Sequence, residues 1–145
     1  MRLAFRGQPG GFAQAALRFR EAQDAYARAL KLIEQRNKES LKLAIEHLHR
    51  ATELDPTFAE AYAVLAAAYA GAGSTTNSQF MMADEALAPA LAAAERALQL
   101  DPALAKAHVA LARVLSSLQP WSRPTDLAIE QSYRRGLELD PADAD

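Results

Sequence analysis

The sequence predicts an all-helical chain in which three helix pairs stack on one another. Three observations carry that expectation. First, Leu-Asp-Pro recurs at Leu54-Asp55-Pro56, Leu100-Asp101-Pro102 and Leu139-Asp140-Pro141. Second, small or apolar residues precede each proline at matching offsets. Ala51, Ala97 and Gly136 stand five before it, Leu48, Ala94 and Tyr133 eight before, and Ala44, Ala90 and Ile129 twelve before. Such intervals put them on one helical face. Third, 34 of the 145 residues are alanine. A core so poor in large side chains requires helix axes that approach closely.

The first helix is expected over 12–36, where Phe12, Ala15, Ala16, Phe19, Ala22 and Tyr26 keep helical spacing. It starts before the repeat and is expected to cap the open end of the stack. Residues 1–11, with Gly7, Pro9, Gly10 and Gly11, read as a flexible lead-in to one domain over 12–145. A second helix over 39–54 aligns Ala44, Ile45, Leu48 and Ala51, and a third over 58–72 aligns Tyr62, Leu65, Ala66 and Tyr69. The fourth, over 83–100, contains Pro89, which should kink its first turns or delay its start. A fifth over 104–118 repeats the third: Ala107-His108, Leu111-Ala112 and Leu115 match Ala61-Tyr62, Leu65-Ala66 and Tyr69. The sixth spans 125–139, with Ser122 or Thr125 as its cap. Each Asp-Pro ends a helix, because proline lacks an amide donor and disfavours helix in the residue before it. The aspartate can then accept hydrogen bonds from free amides of the next helix.

The arrangement resembles the tetratricopeptide repeat (TPR). Its pattern is matched by Tyr62, Leu65-Ala66, Tyr69, Ala90, Ala94, Ala97 and Pro102, and the likeness covers roughly Asp24 to Pro141. The resemblance implies a right-handed α-solenoid of about three helix hairpins with an extended N-terminal helix, in units of about 24–56, 57–102 and 103–141. Two departures stand out: alanine replaces glycine at Ala66 and Ala112, and Ala94 replaces a large aromatic. The prolines lie 46 and 39 residues apart, against a usual repeat of about 34. The excess falls in Ser74–Met82 and around Gln119–Pro124, as loop extensions on one edge. A narrower likeness is to the TPR regions of bacterial winged-helix regulator, nucleotide-cyclase and protein-kinase signalling proteins, none of whose effector modules is in this chain.

Several function classes find no support in the residues. There is no cysteine, hence no disulfide framework, thiolate nucleophile or thiolate metal site. His47 and His49 lie two apart and point to different sides of a helix, and Glu46-x-x-His49 has no second copy, so no metal site is expected. His108 takes an aromatic slot and is expected to pack. Gly71-Ala72-Gly73 lacks the lysine and hydroxyl of a phosphate loop. No catalytic residues and no cofactor are expected; the chain does not read as an enzyme. With a net charge of −2, neither nucleic acid nor a membrane is an expected partner. Arg18, Arg20, Arg28, Lys31 and Arg36 form a basic side of the first helix, but acids alternate with them, and Phe19 and Tyr26 are assigned to the buried stripe. The composition fits the cytoplasm.

What the resemblance implies is protein binding on a concave face lined by the first helix of each pair. The matching positions are Asp24, Ala27, Arg28 and Lys31; Glu60, Ala63, Val64 and Ala67; and Lys106, Val109, Ala110 and Arg113. The clamp that grips a carboxy-terminal carboxylate in some relatives is absent, since Ala27 and Val64 replace its Lys and Asn and only Lys106 matches. Alanine and valine in the middle with mixed charge at the ends suit an amphipathic helix, or an extended peptide with acidic character. Phe80, Met81, Met82 and Trp121 are candidate loop contacts, although packing against the core is expected to claim them. Leu118, Leu127 and Tyr133 at the uncapped C-terminal end offer a route to a homo-oligomer. The expected function is therefore a non-enzymatic scaffold for another protein or peptide. A regulatory segment of a signalling protein and a self-associating module are the alternatives.

Overall fold

The computed structural model describes residues 2–74, 79–118 and 123–141, with side chains described for 11–74, 79–117 and 130–141. The described residues form six helices and no strand: α1 Arg2–Glu34, α2 Lys38–Leu54, α3 Ala59–Gly73, α4 Ala83–Leu100, α5 Ala105–Leu118 and α6 Arg123–Leu139. The chain is all-α. Apart from the start of α1, every helix end lies within two residues of its expected place. Helix α1 begins at Arg2, inside the segment expected as a flexible lead-in. Glycine weakens a helix without barring it, so Gly7, Gly10 and Gly11 do not stop the run.

The two Leu-Asp-Pro junctions between helices have the same geometry. Asp55 (φ −135°, ψ 91°) and Asp101 (φ −145°, ψ 92°) each donate their amide to the residue four back, Ala51 and Ala97, at 2.9 Å. Their carboxylates accept from the amides of Thr57 and Ala103, both at 3.1 Å. Their carbonyls accept from the amides of Phe58 and Leu104, again at 3.1 Å. The repeated Leu-Asp-Pro thus makes the same hydrogen bonds at both junctions. The other helix starts use different devices. Asn37 Oδ1 caps α2 by accepting from the Ser40 amide at 2.9 Å, and the Glu85 carboxylate accepts from the Met82 amide at 3.0 Å ahead of α4. Helix α4 begins six residues before Pro89 and runs through it, so the start is not delayed.

Each helix packs on its neighbour in sequence, and α5 also packs on α3. Helix α3 is therefore shared by α2, α4 and α5. That explains its almost uniformly apolar sequence: Ala61, Ala63, Leu65, Ala66, Ala68, Ala70 and Ala72 are buried on several sides. The main core joins all of these but Ala63 to Ala25, Tyr26 and Ala29 of α1, Leu41, Ala44, Ile45, Leu48 and Ala51 of α2, Ala86, Ala90, Ala93 and Ala94 of α4, and Ala110 and Val114 of α5. A smaller cluster of Ala63, Ala97 and Ala107, covered by Tyr62, Leu98 and Leu104, seals the second junction. The space beside Ala94 is part of the main core, where Phe80 and Met81 also pack. Gly136 serves a close approach of α6 to α5: a Cβ there would stand 2.8 Å from Val109 Cγ2.

The cap expected of the first helix is not formed. Phe12 is 73% exposed and Phe19 56%, and all of residues 11–20 are exposed. The buried stripe of α1 begins at Ala22. The reason is length: 33 residues of α1 reach about 50 Å, whereas the 17 of α2 reach about 25 Å. Arg18, whose guanidinium reaches the Glu53 carbonyl at 3.4 Å, marks the end of α2.

Leu48 is fully buried in this alanine-rich core, while Leu43 on the same helix is exposed. Leu48→Ala should therefore cost about 2–5 kcal/mol, and Leu43→Ala well under about 1 kcal/mol. Urea denaturation of both variants measures the difference.

Candidate functional site: a cationic groove across α1, α3 and α5

A groove of about 580 Å³ runs along α3 and α5 and is bounded by the end of α1 and the start of α2. Its floor is built from small side chains: Ala63, Val64, Ala67, Ala68, Ala70 and Gly71 of α3, with Val109 and Ala110 of α5. Small residues are what a helix must carry there if α3 is to lie against α5. The same residues keep the groove open. Leu30 and Ile33 of α1 and Leu41 of α2 make an apolar wall. Val109 is itself backed by Gly136 of α6, so α6 sets the position of part of the floor.

The rim is charged with one sign. Arg36, Lys106 and Arg113 line the groove, and no carboxylate among the described residues does. All three are exposed. Lys106 and Arg113 are seven residues apart on α5, hence on one face about 10 Å apart. Arg36 stands in the turn between α1 and α2 with φ 52°, a left-handed conformation that costs an ordinary residue roughly 1–2 kcal/mol. The turn is closed by the amides of Gln35 and Arg36 donating to Leu32 and Ile33. Glycine would suit that backbone better, so the arginine there is a residue retained against local preference.

The groove brings together seven of the twelve positions expected on the concave face, Ala63, Val64, Ala67, Lys106, Val109, Ala110 and Arg113; Asp24 and Ala27 are not among its lining. Arg28, Lys31 and Glu60 do not line it. All three are exposed, and the Glu60 carboxylate accepts from the Tyr26 hydroxyl at 3.5 Å. The charged residues in the lining, among the described residues, are all basic. On the α1 side, Leu30, Ile33 and Arg36 take the place expected for Arg28 and Lys31. The three- and four-residue spacing from Tyr26 through Leu30 to Ile33 is the signal that would have indicated them.

Of the candidate loop contacts, Phe80 and Met81 turn back onto the core, their amides donating to the Ala72 carbonyl at 3.1 and 3.2 Å. The Lys42 ammonium stands 5.2 Å from the centre of the Phe80 ring. Met82 remains 63% exposed, and Trp121 lies outside the described residues. At the C-terminal end Tyr133 and Leu137 are exposed on α6; the side chains of Leu118 and Leu127 lie outside the described side chains, and so does Ser122, one of the two expected caps, whereas Thr125, the other, lies inside α6, which starts at Arg123. His49 hydrogen-bonds the Tyr69 hydroxyl at 2.7 Å, and burial raises that hydroxyl above its ordinary pKa of 10.0. His108 Nε2 lies 2.9 Å from the Pro102 carbonyl, which ties it to the second junction. No family model matches the sequence, and no curated protein matches it.

The turn conformation makes Arg36 a test of stability against function. Arg36→Gly should raise stability by roughly 0.5–1 kcal/mol by relieving the backbone. The same change should weaken any anionic occupant of the groove. Thermal melting reads the first effect and binding by the peptides described below reads the second.

Proposed function

We propose that this chain is a non-enzymatic protein-binding module, a right-handed solenoid of about three tetratricopeptide-like hairpins that holds a peptide or helix in the groove between α1, α3 and α5. One observation carries the reading: an apolar floor of small residues is bordered by Arg36, Lys106 and Arg113, with no lining carboxylate among the described residues. A floor of alanine and valine lets a partner's backbone or helix approach closely and bury its apolar side. The three cations select for acidic groups at its edges. The repeated Asp-Pro junctions and the packing of α5 on α3 support the stacked arrangement.

Exposed Tyr133 and Leu137, one turn apart on α6, favour a second reading in which copies of the chain meet at that end. It is compatible with the first, because neither residue lines the groove.

Selection from a random peptide display library tests the main reading. The chain should enrich amphipathic peptides that carry acidic residues on one edge. The double variant Lys106→Glu with Arg113→Glu should lose those peptides by about tenfold or more, since both sites are exposed and their replacement leaves the core intact. No enrichment, or the same peptides selected by both proteins, would count against it.

A further inference from the structure

We propose that the first half of α1 is a basic amphipathic helix that docks on the surface of an anionic lipid membrane. Two observations converge on it. Residues 1–20 contain four arginines, Arg2, Arg6, Arg18 and Arg20, and no acid; all 18 acidic residues of the chain follow, with 12 of its 16 basic ones. The net charge of −2 averages over that asymmetry, which is why it gave no indication of a membrane partner. The second observation is structural. Phe12 and Phe19 are exposed and lie seven residues apart, in line with Tyr26, which is buried. The stripe that packs α1 into the body thus continues outward along a length of helix that no other described helix covers. Arg18 and Arg20 flank Phe19, each turned about 100° from it. Phenylalanine between arginines is the arrangement that places aromatic rings at the acyl boundary and guanidinium groups among phosphates.

Other occupants fit less well. A second α1 would bring arginines against arginines in either orientation, and like charges repel. The groove of another copy is itself cationic. Duplex nucleic acid would take the arginines but leave Phe12 and Phe19 in water. A lipid surface satisfies both features, and the helix lies on it rather than through it, since none of the described helices is long and apolar enough to cross a membrane. The acidic body is repelled from the same surface, which orients the molecule with α1 toward the lipid.

Flotation with vesicles tests the proposal on the full chain. The protein should float with phosphatidylcholine vesicles containing phosphatidylserine, not with phosphatidylcholine alone, and raised salt should release it. Phe12→Ser with Phe19→Ser, and separately Arg18→Glu with Arg20→Glu, should each reduce partitioning by about tenfold or more. All four positions are exposed, so the helical circular dichroism of the variants should match that of the parent. Failure to float with anionic vesicles, equal flotation with neutral ones, or indifference to either pair of changes overturns it. So does a dimer by light scattering that the phenylalanine changes convert to monomer. Salt-sensitive binding to duplex DNA that exceeds vesicle binding, and that the phenylalanine changes leave untouched, overturns it too.

Discussion

Close approach between alanine-lined helix faces is the constraint on which the remaining structure depends. Leu48 and Val114 are the largest fully buried side chains among the described residues, and most of the core is alanine. Each alanine removes little apolar surface from water, so adhesion must come from many short-range contacts between backbones held near each other. Ala63, Ala97 and Ala107 meet where α3, α4 and α5 converge. Gly136 takes this to its limit, with no room for a Cβ beside Val109. A larger side chain at such positions would force axes apart rather than fill a void.

The same constraint generates the groove. Helix α3 carries small residues on nearly every side because three helices share it, and where the partners diverge those small residues floor an opening instead of a contact. The junctions keep the pieces in register. Asp55 and Asp101 terminate one helix and lead into the next with the same three hydrogen bonds. Packing of α5 on α3 brings Val64, Ala67 and Val109 into one groove lining, with Lys106 and Arg113 beside them.

The parts legible in the sequence are those that the repeat dictates. Asp-Pro pairs located the helix ends, because proline and the residue before it are constrained whatever surrounds them. The α3 and α5 sides of the groove followed from their alignment with each other. The α1 side did not, because the turn at its end, and not the repeat, decides which α1 residues reach the groove. Its turn is shaped by Arg36 in a left-handed conformation and by the Asn37 cap, which bring Leu30 and Ile33 to the wall in place of Arg28 and Lys31. Periodicity likewise showed that Phe12, Phe19 and Tyr26 share a face but not how far along it a partner helix extends. Tyr26 is covered because the Phe58 ring stands 4.9 Å from its own and Glu60 accepts its hydroxyl, whereas Phe19 is exposed. Phe80 and Met81 were legible as a choice between core and surface, which the two hydrogen bonds to Ala72 resolve.

The central claim is that the stack holds one fixed groove rather than helix pairs that move independently. The chain has no cysteine, so two spin labels can be placed cleanly at Arg36→Cys and Arg113→Cys, on opposite sides of the opening. Pulsed electron paramagnetic resonance then measures the distribution of distances between them. A single narrow distribution is the result expected of a preformed groove. A broad or multiply peaked one would mean that α1 and α5 are not held together, and would contradict the account.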